Sequence, residues 1–252
     1  FFIDKDQIVT TKDFGSIKEI EKQAHLLGSK VFTGSDFKLT SQFRCNGSDG
    51  YIAFLDHVLG VRETANYDGF DLDYDIKVVD DPNLMREELR KKNLIQNKSR
   101  MIAGYCYEWV TQKNSSDDTY DIELENGFKA KWNFSSTNTW AIDEDSFDQV
   151  GCIHTAQGLE FDYVGIIIGQ DMVYRDGKVL TDFTKRAKTD ASLKGIKSSK
   201  NVELADRIIR NTYKTLLSRG QKGCYIYCED IQLREYLRHM IGKKDMKDER
   251  YN

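Results

Sequence analysis

The residues with the most chemistry for their spacing lie in HTAQGLEFD, His154 to Asp162, directly ahead of the apolar run YVGIIIG. His154, Thr155, Gln157, Gly158 and Glu160 put side-chain donors, acceptors and a bare backbone within one turn or loop. A glycine lets backbone approach a ligand closely, and a carboxylate can accept hydrogen bonds from ribose hydroxyls. Three further stretches carry isolated polar residues. Asp4 and Gln7 follow the opening apolar residues, Phe43 and Arg44 sit in SQFRCN, and Arg219 sits in LLSRGQKG. An arginine fork matches phosphate oxygens, so two such arginines with a Gly-Leu-Glu loop suit a polyphosphate ligand.

These residues need elements to hold them. Apolar spacing predicts helices over Ser16–Leu27, with Gly28 as its stop, and over Ser48–Leu59. Short strands are expected at Phe1–Ile3, Lys30–Thr33, Lys38–Phe43 and Ile76–Val79. Asp81 then caps a helix whose first residue is Pro82, the one proline of the chain. Met101–Cys106 reads as a strand, and ELENGFKAKW as a hairpin about Asn126–Gly127. Val150–Ile153 and Tyr163–Ile168 are continuous apolar runs, as in a parallel sheet covered on both faces. Asp171–Lys200 reads as a polar, basic insertion with little periodicity. Asn201–Leu217 is a helix, Cys224–Cys228 a strand and Ile231–Ile241 a closing helix. Strands alternating with helices predict an α/β domain with a mostly parallel sheet, whose ligands bind beyond the carboxyl ends of the strands.

With 252 residues, 39% hydrophobic and 31% charged, the chain can bury a sizeable core. Its net charge of −4 excludes a surface that is basic all over, so any nucleic-acid contact must be local. The basic stretch is Arg175–Lys200, with eight Lys/Arg against three Asp/Glu. Five scattered cysteines predict reduced thiols, and Cys224 and Cys228, on one face of a strand, lack the tight turn of a zinc pair, so no metal site is expected. No apolar run reaches membrane-span length and no signal-peptide pattern opens the chain. The expected location is the cytoplasm, with no membrane partner. The opening FFIDKDQIV begins on an apolar strand without methionine or lead-in, which predicts a segment of a longer protein.

The order D-x-x-Q, Q-F-R, H-T-A-Q-G-L-E-F-D and L-L-S-R-G resembles motifs III to VI of superfamily 1 helicases. Together with TYKTLLSRGQKGCYIYC, the motif V wording is most similar to a bacterial family of Schlafen-type DNA/RNA helicase domains. The resemblance runs from Asp4 to Arg219. It implies a RecA-like three-layer domain with a β-hairpin insertion. It also implies that residues 1–37 are the tail of a first RecA-like domain and 38–252 the second, with insertions at about 107–148 and 171–200.

Carried over residue by residue, it implies that Asp4 and Gln7 belong to the motif that senses the terminal phosphate. Arg44 would reach that phosphate, Phe43 would stack on adenine, and Arg219 would stabilise the transferring phosphoryl group. Gly158 and Glu160 would contact the nucleotide, Glu160 at the ribose, while His154, Thr155 and Gln157 link it to a nucleic-acid backbone. No G-x-x-x-x-G-K-[ST] loop occurs and no Asp-Glu pair precedes Asp4. The implied partners are therefore a first RecA-like domain on the same protein and DNA or RNA, with ATP and Mg²⁺ as cofactors, and the chain alone is expected to be inactive as an ATP hydrolase. A nucleotide-switched protein- or RNA-binding module is the alternative.

Each residue also has a plainer use. Asp4 and Gln7 suit a solvated turn, Arg44 and Arg219 surface ion pairs, Phe43 the core, His154 a satisfied structural role and Gly158 the turn alone. The basic insertion suits either a solvated loop or phosphate contact. Trp109, Trp132 and Trp140 suit either base stacking or buried packing.

Overall fold

In the computed structural model, residues 8–11, 17–34, 49–63, 74–114, 116–134, 137, 139–196 and 201–248 are described. The expected strands at Phe1–Ile3 and Lys38–Phe43 lie outside them, as do Asp4, Gln7, Phe43 and Arg44.

The central sheet is built from β1 (Asp75–Val78), β2 (Ser99–Ala103), β5 (Val150–Gly151), β6 (Phe161–Ile168) and β9 (Gly220–Cys228). Two two-stranded hairpins, β3 (Ile122–Glu123) with β4 (Lys129–Ala130) and β7 (Met172–Arg175) with β8 (Lys178–Thr181), stand beside it. The sheet order is β1-β9-β6-β2-β5, and every pairing in it is parallel.

Six α-helices are described, α1 (Ile17–Leu26), α2 (Asp49–Val58), α3 (Pro82–Ile95), α4 (Ile153–Ala156), α5 (Val202–Leu217) and α6 (Ile231–Asp248), with short 3-10 turns at Glu125–Gly127, Glu144–Ser146 and Phe183–Lys185. Strand parity sorts the core into two layers. Val164, Ile166 and Ile168 of β6, with Cys224, Ile226 and Cys228 of β9, face α2, α5 and α6. The alternate residues Ile167, Tyr225 and Tyr227 face α3 and the 107–148 insertion. Both faces are therefore apolar and covered, which is why these strands read as unbroken apolar runs. The expected α/β three-layer architecture with a hairpin insertion is what forms.

Local chemistry sets the element ends. The Asp81 side chain accepts from the Asn83 backbone N–H at 2.8 Å with Pro82 at the first helical position. Asn201 caps α5 by accepting from the Leu204 N–H at 3.1 Å. Gly165 lets α3 close on the sheet, because a Cβ there would meet Leu89 Cδ1 at 2.5 Å.

Three expectations are corrected. Lys30–Thr33 is irregular and Phe32 is 70% exposed; among the described residues it has no strand partner, and two apolar residues cannot hold a ladder alone. Ile153 starts α4 rather than ending a strand. Most substantially, residues 171–196 are no featureless loop. MVYR and KVLT pair as β7–β8 about Asp176–Gly177, both at positive φ. Buried Leu193 and Ile196 then pack on Ala205 and Ile208 of α5. The tryptophans take their plainer use: Trp132 and Trp140 are buried, and Trp109 sits 6.0 Å from the Trp132 ring.

Arg100, the second residue of β2, is fully buried, yet among the described residues none of its hydrogen bonds goes to a carboxylate side chain. Its five hydrogen bonds go to Ser146 Oγ, Asn93 Oδ1, Ser99 O, Asn97 Oδ1 and Asp143 O, at 2.8–3.0 Å. Burial pulls its pKa down to about 10, with the Asp143 charge opposing the drop. It pins the end of α3 and the insertion to the sheet.

Candidate functional site

The segment His154–Glu160 is the crossover from β5 to β6, passing over β2 on the α5 face. Its first part lies towards the carboxyl ends of the strands. Gly151 is level with Ile102, and Ile102 with Ile166 near the end of β6. Its last part lies at the opposite edge, because Glu160 immediately precedes β6.

At the carboxyl edge, α4 is a single turn with Ile153 and Ala156 buried. Thr155 Oγ1 accepts from the Cys152 N–H at 2.8 Å, so its hydroxyl caps the turn. His154 is exposed, with its ring 5.8 Å from that of Tyr105. The Tyr105 hydroxyl donates to Cys152 Sγ at 3.6 Å, and burial, then the neighbouring Cys152, raises its pKa so that it stays protonated.

Behind it, Arg186 of the 171–196 segment reaches Asp171 at 3.0 Å and Asp190 at 3.1 Å. Burial opposes the charge on Arg186, but the two carboxylates outweigh it and its pKa is raised. The Ala187 N–H donates to Tyr105 O at 2.8 Å, tying this segment to the edge where His154 sits. Nothing in the sequence marks Tyr105 or Arg186; the D-G turn of β7–β8 is the nearest available signal that this segment folds.

At the amino edge, Gln157 and Glu160 are exposed and Leu159 packs into the core. Gly158 has φ +86, a backbone that favours glycine, and a Cβ there would meet nothing within 4 Å. Arg219 immediately precedes β9, whose Gly220 is level with Phe161. The Phe161 N–H donates to Arg219 O at 3.0 Å. Arg219 is 2% exposed; its Nε donates to Thr215 O at 3.0 Å and its Nη1 to Leu159 O at 3.4 Å. The fold thus brings Gly158, Glu160 and Arg219 to one edge and His154 and Thr155 towards the other. His154 and Thr155 lie beyond the carboxyl ends of the strands, whereas Glu160 and Arg219 close loops that lead into strands rather than out of them.

Residues 8–11 also touch this body. Val9 is buried in the main core, Ile8 O accepts from Asn211 Nδ2 at 3.1 Å, and the Thr11 N–H donates to Ser192 O at 2.7 Å. Among the described residues no cluster of three His, Cys, Asp or Glu side chains is placed to hold a metal ion, and no helix is long and apolar enough to cross a membrane. Those residues therefore do not fit a Mg²⁺ cage. Glu160 is an exposed carboxylate, an acceptor for hydroxyl groups, beside a glycine whose Cβ position is open.

Residues 1–230 match the model of the Schlafen group 3 DNA/RNA helicase domain family. The chain is similar to an uncharacterized protein of Saccharomyces cerevisiae, 26% identical over 220 residues, covering 80% of this chain and 47% of that protein. It spans about half the length of that relative. A solved structure, the C-terminal domain of a possible DNA helicase from Lactobacillus plantarum, aligns with 13% identity and a TM-score of 0.30 over 76% of this chain and 92% of that one.

Proposed function

Because the chain belongs to the Schlafen group 3 DNA/RNA helicase domain family, we propose that it is the second RecA-like half of an ATP-driven nucleic-acid motor. In this reading ATP and Mg²⁺ bind between this domain and a first, phosphate-loop domain on the same protein. Gly158 and Glu160 take the nucleotide, Glu160 at the ribose, and Arg219 stabilises the transferring phosphoryl group. His154, Thr155 and Gln157 face the nucleic acid. Asp4, Gln7, Phe43 and Arg44 complete the nucleotide site by the same resemblance.

The observation that carries the reading is the bond from Arg219 Nη1 to Leu159 O, beside exposed Glu160. It joins the two motifs that such a site needs in one place. At 3.4 Å the bond is long, so the guanidinium gives up little when it exchanges that carbonyl for a phosphate oxygen. The crossover then links phosphate state at one edge of the sheet to His154 at the other through a single helical turn. In this reading the Mg²⁺ ligands come from the first domain.

The test is nucleic-acid-stimulated ATP hydrolysis and strand displacement by the full-length protein, beside residues 1–252 alone. Hydrolysis and displacement by the whole protein, with negligible hydrolysis by the piece, are expected. Robust hydrolysis by residues 1–252 would overturn the shared site. Nucleotide-dependent binding without displacement would favour the switched binding module.

A further inference from the structure

The 107–148 insertion has no part in the site above, yet with α3 it forms an open groove of about 510 Å³. That lies within the range of small-ligand clefts, roughly 300–1,000 Å³. Its chemistry is layered. On β4 and just beyond it, Lys129 and Lys131 point outward while Phe128, Ala130 and Trp132 point into the core. Lys129 Nζ lies 5.6 Å from the Tyr120 ring centre and 3.1 Å from Glu123 Oε2, an exposed ion pair that a phosphate would displace, and Lys131 Nζ lies 4.7 Å from the Phe134 ring centre. Phe134 is 43% exposed, a large apolar ring held at the groove edge.

Arg86 of α3 supplies a third cation. Its Nη2 is spent on Lys129 O at 2.9 Å, but its Nε is buried with no hydrogen-bond acceptor among the described residues. Burial, the largest influence, lowers the pKa of Arg86. Three carboxylates share the lining, of which Asp148 is already paired with Arg90 at 2.7 Å. Asp117 and Asp145 are left exposed at the groove.

We propose that this groove is a second contact for single-stranded nucleic acid, holding one or two nucleotides with bases on Tyr120 and Phe134 and phosphates at Lys129, Lys131 and Arg86. Cations beside aromatic rings suit a single strand, whose bases stack on any π-face while its backbone tracks positive charge. A groove meant for backbone alone would carry no acid. Carboxylates suit the exocyclic amino groups of cytosine, adenine and guanine, so strands rich in these should bind better than thymine or uracil runs. The inference rests on the nucleic-acid part of the proposed function but not on ATP hydrolysis, because the groove contains none of the helicase-motif residues.

The experiment is fluorescence anisotropy of labelled single-stranded DNA and RNA 12-mers, homopolymeric and mixed, with the full-length protein across a salt series. Each lost stacking surface should weaken binding by roughly 5- to 150-fold, so Tyr120→Ala with Phe134→Ala should cost at least about 25-fold. Lys129→Glu with Lys131→Glu should lower the salt slope by about 1.4, at about 0.7 per phosphate. Those lysines lie outside the core, so this second pair carries the test if the aromatic pair fails to fold. Tyr120→Phe should bind as wild type does. Unchanged affinity and slope in folded variants would overturn the groove and leave a protein segment as its occupant. A wild-type protein that binds no single strand would overturn both this and the motor. Weakened binding in a protein that never hydrolyses ATP would keep the groove and sink the motor alone.

Discussion

Replacing Arg219 with methionine separates two jobs that one side chain is asked to do. Its Nε bond to Thr215 O is 3.0 Å, and its Nη1 bond to Leu159 O is 3.4 Å, in a site that is 2% exposed. A hydrogen bond from a charged donor is worth about 1.5–3 kcal/mol, and the longer one counts for a fraction of that. Thr215 O keeps the Ser218 hydroxyl at 3.0 Å, so Leu159 O is the carbonyl most exposed to the loss. Methionine retains the apolar stem, which limits any void. Arg219→Met should therefore cost about 2–3 kcal/mol, which for a domain of this size lowers the melting temperature by roughly 5–10 °C.

The catalytic loss is separate and far larger: at least about a thousandfold in kcat, if the guanidinium stabilises the transferring phosphate. Both readouts come from one preparation of the full-length protein, by calorimetry and by stimulated ATP hydrolysis at a temperature where the variant is folded. Hydrolysis at the wild-type rate would end the phosphoryl role and leave Arg219 as a loop tie. An unchanged melting transition would refute the energetic reasoning instead.

Arg100→Met tests the buried guanidinium. Depression of its pKa to about 10 corresponds to a burial cost of ~3 kcal/mol, which hydrogen bonds from a charged donor more than return at ~1.5 kcal/mol each, the low end of their range, and the methionine stem recovers part of the difference. A net loss of about 2–4 kcal/mol in urea unfolding is expected, with early proteolysis in the 107–148 insertion; a loss under about 0.5 kcal/mol would show that the network contributes nothing. Glu229 accepts from the Tyr107 hydroxyl at 2.7 Å, and burial, opposed by that bond, raises its pKa above 4.5. A raised carboxyl contributes stability that is fully present below its unfolded pKa and lost as pH rises through the folded one. Glu229→Gln should therefore gain on wild type between pH 4 and 7 in denaturant melts, and parallel curves would contradict the raised pKa.

How far the sequence could be read depended on where the signal was local. Helix α3 was legible from Asp81 and Pro82, because a cap and a fixed φ act within one turn. Strands β6 and β9 were legible as apolar runs, since covering both faces leaves no polar alternation. The β7–β8 hairpin was hidden by charge: Arg175, Lys178, Arg186 and Lys188 suggested a solvated tract, while burial of Arg186 depends on Asp171 and Asp190, visible only once the chain has folded. Likewise the motif residues could be named from order, but not the edge each occupies. Arg219 suited a surface ion pair or a phosphate contact, and its burial beside the Leu159 carbonyl, sixty residues away, shows only in the folded chain. Tyr120 and Phe134 gave no more sign than the tryptophans, which the core took.

The parity of β6 has a consequence for insertions and deletions. Val164, Ile166 and Ile168 fill one layer while Ile167 fills the other, and Gly165 makes room for Leu89. One residue added between Gly158 and Phe161 would either turn the whole strand over, sending each side chain to the wrong layer, or bulge out where Arg219 meets Leu159. The loop can therefore exchange side chains far more readily than it can change length, and a single-codon indel there should be tolerated worse than most substitutions.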